Sequence, residues 1–317
     1  MAILAKANNR SGRPIADWWK PLQTQPLNLT ATDRGADTTP FVCLAIVRST
    51  LTLQPEDEMN PTTVSNAVQI QVLADAEALT QAAATEFVKQ AKQAIATSGR
   101  FTVALSGGST PKSLYALLAT EPWRRQIPWS HVHFFWGDER HVPPDHADSN
   151  YRMTQERLLF QVPVPAENVH RIQTENPDAS SVAAGYEQAI RQFFKLHENE
   201  LPQFDLVLLG MGPDGHTASL FPHTKVIHEQ TRLVAAPWVE KFKTYRITLT
   251  PPVLNNANHI IFFVTGAEKA ETLKAVLEGE YQPDRFPSQL IQPTHGTVLW
   301  MVDQAAASLL SQSASNL

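Results

Sequence analysis

The stretch DLVLLGMGPDGHTASLFP, residues 205–222, decides how the chain is read. Leu206, Val207, Leu208 and Leu209, with Met211 just beyond, form a short apolar run of the length of a buried strand. GMGPDGH follows at once and reads as a tight loop at the carboxyl end of that strand. Gly210, Gly212 and Gly215 allow a ligand to approach the backbone closely, while Asp214 and His216 place a carboxylate and an imidazole two residues apart beside it. Taken alone, the loop has a plainer reading too, as a connection whose glycines turn the chain and whose His216 caps the next helix.

Upstream, the spacing predicts a strand over 69–73, then a helix in which Leu79, Ala83, Phe87, Ala91 and Ile95 share one face before Gly99 ends it. A second strand over 101–105 runs into SGGSTP, with Pro111 in the first turn of the next helix. A third over 132–136 ends in Gly137, Asp138, Glu139 and Arg140, and Ser149 is placed to cap the helix after it. Val182, Tyr186, Ile190 and Phe193 then stripe one longer helix before the central strand.

Downstream, strands are expected over 246–249 and 259–265, joined by the turn and short helix of PPVLNNA. A helix opening at Lys269, a strand over 297–302 and an Ala-rich terminal helix complete the pattern. Strands alternating with helices imply parallel pairing with right-handed crossovers. The predicted fold is therefore α/β, a three-layer α/β/α sandwich with a mostly parallel, Rossmann-like sheet. Ligands of such sheets bind outside the carboxyl ends of the strands, where SGGSTP, GDER and GPDGH all fall.

The organisation expected is a poorly ordered extension over 1–64 and a single α/β domain over 65–317. Residues 1–40 are polar and show no sustained period. Met59 as the initiator is the favoured account of this leader, and a targeting segment is the alternative, because residues 1–16 carry Arg and Lys but no acid. The net charge of −5 gives no basic surplus for a nucleic-acid partner. Cys43 is the only cysteine, which excludes an intrachain disulfide framework and a Cys-based zinc cluster and suits a reducing compartment. No apolar run approaches the roughly 18 residues of a membrane span, so a cytoplasmic protein with no membrane partner is expected. Oligomeric state is not legible.

Several motifs carry chemistry. Gly107, Gly108, Ser109 and Thr110 offer free N–H groups and hydroxyls at a helix amino terminus, a phosphate cradle that matches neither a P-loop nor a dinucleotide fingerprint. A Gly-rich turn with a Ser/Thr cap fits the same hexapeptide. Asp138 and Glu139 suggest acid/base work and Arg140 an anion or oxyanion contact, against the blander reading of a solvated strand end. Arg246 and Lys269 stand at the expected rims of a small-anion pocket. The histidines show no paired metal spacing, so no metal is expected.

Taken in order, ALSGGSTPKSLYALL, FFWGDERHVPPDHADSNYRM, DLVLLGMGPDGHTASLFP and RITLTPPVLNNA resemble the 6-phosphogluconolactonase family over residues 69–310. The resemblance implies hydrolysis of 6-phospho-D-glucono-1,5-lactone in the oxidative pentose phosphate pathway, with no cofactor. It makes His216 the general base, with Asp214 in the same motif; beside them Arg140 is expected either to stabilise the oxyanion or to fix the sugar next to Asp138, and Gly107, Gly108, Ser109, Thr110, Asn150, Arg246 and Lys269 are expected as substrate ligands. The glucosamine-6-phosphate deaminases have a similar loop, GHIAFNEP, but here Phe221 stands where that family has Glu, which favours lactone hydrolysis. A non-catalytic sugar-phosphate sensor is the alternative from another class, and the presence of both Asp214 and His216 weighs against it.

Overall fold

The computed structural model describes residues 68–311. The expected extension over 1–64, with Cys43 and Met59, lies outside the described residues. The chain runs through β1 (Gln69–Leu73), α1 (Ala76–Ser98), β2 (Phe101–Leu105), α2 (Ser109–Leu118), β3 (Val132–Trp136) and β4 (Asp138–Arg140). It continues with α3 (Asn150–Thr154), which passes into a π-helical turn over Gln155–Leu159, then α4 (Ala179–Phe194) and β5 (Leu206–Gly210). Next come β6 (Val234–Ala235), β7 (Trp238–Val239), β8 (Thr244–Leu249), α5 (Pro251–Asn255), β9 (His259–Val264), α6 (Ala270–Glu278) and β10 (Thr297–Asp303).

Local chemistry sets the helix ends. The Asp75 carboxylate accepts from the Ala78 N–H at 2.8 Å to open α1, and Gly99, at φ 77, closes it in the left-handed region. Ser149 caps α3 in the same way, accepting from the Arg152 N–H at 3.1 Å.

Six strands form one sheet in the order β1-β10-β9-β5-β2-β3, every neighbouring pair parallel. Helices flank it, giving the three-layer sandwich. β2 is buried at every residue and β9 at all but its first, as expected for strands covered on both faces. Phe87 meets Phe101 edge to face at 5.4 Å, and Phe262 stacks on Trp300 at 3.8 Å; truncating any of these rings to Ala would cost about 3–5 kcal/mol. Among the described residues no helix is long and apolar enough to cross a membrane.

Two expected elements differ. Residues 246–249 belong to β8, which pairs antiparallel with β4, β6 and β7 in a small accessory sheet beside the main one. The described part of the Ala-rich tail, residues 304–311, forms turns in place of a helix: the Asp303 carboxylate holds the Ala306 N–H at 2.7 Å and the Gly266 N–H at 3.1 Å, pinning the chain where a helix would have to start.

Sheet order fixes where a ligand can sit. From β2 the chain crosses to β3 on one side, whereas β5, β9 and β10 build out on the other. The loops after β2 and β5 therefore diverge above neighbouring strands and leave a crevice at their carboxyl ends.

Candidate active site

A cleft of about 210 Å³ occupies that crevice. Ser106 to Pro111 come from the loop after β2, Asp138 and Arg140 from β4, and Asn150 from the start of α3. The loop after β5 contributes Gly210 to Gly212, His216 and Ala218, and Lys269 arrives from the turn after β9. Most of the residues singled out from sequence thus meet around one cleft. Asp214 and Arg246 are not among its lining residues.

The cradle after β2 is shaped by two glycines. A side chain at Gly107 would overlap the Asn150 amide, so only glycine lets these segments touch. Gly108, at φ 110, turns the chain into α2 and supplies no side-chain cap. The first-turn N–H groups of Ser109 and Thr110 stay available, and Pro111 has none to satisfy.

The two acids of the strand end DER are buried and not solvated. Glu139 is buried, and its Oε1 accepts from the N–H groups of Arg140 at 2.8 Å and Asn150 at 2.7 Å. Its Oε2 accepts from Tyr151 N–H at 2.8 Å and Ser149 Oγ at 3.1 Å. Burial raises its carboxyl above the ordinary range against the lowering effect of these bonds. Glu139 is thus an anchor for the amino end of α3 and carries Asn150 into place, where Asn150 Nδ2 donates to Asp138 O at 3.0 Å. The Asp138 carboxylate is held by Ser219 Oγ at 2.6 Å, and Arg140 is aimed by donating from Nη1 to Asp148 O at 2.5 Å. Arg246 stands opposite Arg140 in the β4–β8 ladder with its guanidinium 5.1 Å over the Phe242 ring. Burial and then the field of Arg140 lower its pKa.

The loop after β5 fixes the imidazole. Gly212 N–H donates to His216 O at 2.9 Å, Gly215 turns at φ 74, and a Cβ on Gly212 would overlap the His216 ring. Thr272 Oγ1 donates to Pro213 O at 2.7 Å and Ser288 Oγ to Gly215 O at 2.9 Å, bolting the loop to neighbouring segments. His216 Nδ1 is hydrogen-bonded to Asp214 Oδ1, and Lys241 Nζ reaches Asp214 Oδ2 at 3.2 Å. Burial alone would raise the Asp214 carboxyl, but His216 and Lys241 together hold it far below the usual carboxylate range. An ionised Asp214 accepts Nδ1–H and leaves the lone pair of Nε2 as the basic site. Asp214 itself lines a second, larger cavity of about 1160 Å³, together with Phe221 and Lys241.

Ser219, Thr272, Ser288 and Lys241 were not legible as site supports. They act across 27 to 81 residues of sequence, with no local pattern to mark them.

The family described as glucosamine-6-phosphate isomerases/6-phosphogluconolactonase matches residues 74–300. The chain belongs to this family. It is similar to the 6-phosphogluconolactonase of Nostoc sp., at 43% identity over 242 residues, covering 76% of this chain and 98% of that one. It is 41% identical to that of Synechocystis sp. over 244 residues, covering 77% and 99%. Among solved structures, the 6-phosphogluconolactonase from Trypanosoma cruzi superposes with a TM-score of 0.70 at 31% identity, covering 79% of this chain and 99% of that one. The glucosamine-6-phosphate isomerase/6-phosphogluconolactonase fold is therefore the frame within which the cleft is read.

Proposed function

We propose that the chain is a carboxylic-ester hydrolase that opens 6-phospho-D-glucono-1,5-lactone to 6-phosphogluconate, in the oxidative pentose phosphate pathway. The observation that carries this reading is the meeting of a phosphate cradle, Arg140 and an Asp214-held His216 around one cleft, in a chain whose relatives bear the lactonase name.

In this reading the substrate phosphate rests on the N–H groups of Ser109 and Thr110, with Gly107 and Gly108 giving close approach. Lys269 supplies charge at the rim, and Arg246 adds to the positive field from beside Arg140. Asn150 and Asp138 hold the sugar ring. His216 Nε2 takes a proton from water as the water oxygen attacks the lactone carbonyl carbon. The tetrahedral oxyanion faces Arg140. Its collapse breaks the bond to the ring oxygen, which takes the proton from His216 and leaves as a hydroxyl, while the acyl carbon becomes the carboxylic acid. Electrons and atoms balance with water alone, so no cofactor enters.

Phe221 stacks on His216 where a deaminase would need an acid, so ring opening with amine release has no corresponding group here. The test is lactone hydrolysis by purified protein, corrected for spontaneous opening. A corrected rate well above zero is expected; a rate of zero with tight sugar-phosphate binding would make the chain a sensor.

A further inference from the structure

We infer that the Ser106 hydroxyl is a substrate ligand that binds a ring hydroxyl of the sugar and not its phosphate; this rests on the lactonase reading of the cleft. Ser106 follows β2 directly, is 5% exposed and lines the cleft. Its Oγ is buried with no hydrogen-bond partner among the described residues. A buried hydroxyl without a protein partner is costly, and one that lines a cleft is placed for a ligand to complete it.

The local chain cannot relax to find another partner. Ser106 N–H donates to the Tyr115 hydroxyl at 3.1 Å, and that hydroxyl donates to Ser106 O at 2.9 Å. Tyr115 is itself fully buried, so both backbone groups of Ser106 are clamped by a fixed ring. Depth separates Ser106 from the anion-binding groups. Gly108 and Ser109 are exposed and Thr110 is partly so, which places the free helix N–H groups at the lip, whereas Ser106 is buried. Gly107 then packs against the Asn150 amide, so Ser106 belongs to the ring-binding floor. A serine hydroxyl both donates and accepts, as a sugar hydroxyl does.

The test measures binding of 6-phosphogluconate and of inorganic phosphate to full-chain wild type, Ser106→Ala and Ser106→Gly, with the melting temperature of each free protein. Both variants should bind 6-phosphogluconate about 10-fold more weakly, the effect of one lost hydrogen bond that leaves a partner unpaired. Phosphate affinity should be unchanged. The free Ser106→Ala protein should melt at the wild-type temperature or above it, because the hydroxyl it loses has no protein partner. Unchanged 6-phosphogluconate affinity, or an equal loss for phosphate, overturns the assignment, as does a wild type that binds no 6-phosphogluconate. Ser106-dependent binding in a wild type that hydrolyses no lactone keeps the assignment and removes the lactonase reading alone.

Discussion

Phe221 lies against the imidazole of His216, ring centroids 4.1 Å apart and planes 26° from parallel. Asp214 holds the Nδ1 edge of the same ring, and the glycine at 212 leaves it room. The base is therefore fixed by contact on its face as well as by a hydrogen bond. Phe221→Leu keeps the apolar bulk but not the flat face, and should lower kcat about 10-fold with little change in KM. Equal kcat in steady-state assays would show that the stack is only packing.

His216→Ala should lower kcat by roughly 10²- to 10⁴-fold, the range for loss of a general base, with a smaller effect on KM. Asp214→Asn should also lower kcat, by about 10²-fold or more, because an amide does not enforce the tautomer that leaves Nε2 basic. A near-wild-type rate for His216→Ala would remove His216 from the chemistry.

Gly107→Ala should disturb both stability and substrate binding. The added methyl meets the Asn150 amide, which donates to Asp138 O, while the Asn150 backbone N–H is held by Glu139. Overpacking of this kind costs about 1–3 kcal/mol, readable in urea unfolding, and displacement of Asn150 should raise KM.

Lys269→Met should mainly raise KM for the phosphorylated lactone, since a neutral side chain still packs but no longer attracts the anion. Arg246→Met should raise KM less, because Arg246 does not line the cleft. Unchanged KM in both variants would relocate the phosphate.

His170 gives a stability profile in pH. It stacks on Phe135 at 4.4 Å and meets His133 at 3.3 Å; burial first, then His133, hold its pKa down to about 4, against 6.5 in the ordinary state. Between those values the unfolded chain binds the proton and the folded chain does not, so stability is complete above pH 6.5 and falls as the pH drops toward 4. His170→Phe should flatten this slope, and melting temperatures at pH 7 and pH 5 would read it directly.

The sequence carried the parallel sheet well because its inner strands β2, β5 and β9 are apolar on both faces, the edge strand β1 alternates, and its helices are amphipathic, patterns that survive without knowledge of neighbours. The accessory sheet was less legible. β6 and β7 have two residues each, too few for a period, and β4 reads DER, a charged triplet that looks like a strand end meeting water. Glu139 is buried there because the backbone N–H groups of Asn150 and Tyr151, 11 and 12 residues on, converge on it. The loops around the cleft could be placed from their positions after strands, and Asn150 from its family motif. Ser219 and Lys241, by contrast, act through contacts made only when distant segments meet.

β1 pairs in register with β10, Gln69 beside Leu299 and Leu73 beside Asp303, so the first described strand waits for the last. On a ribosome, the sheet can assemble its β3-β2-β5-β9 portion while β1 still lacks β10, its only neighbour among the described strands. Closure then depends on a contact spanning 230 residues, the kind of long-range pairing that slows folding. A chain cut short before Thr297 would leave the facing edges of β1 and β9 unpaired, two open strand edges prone to aggregation rather than a smaller working enzyme.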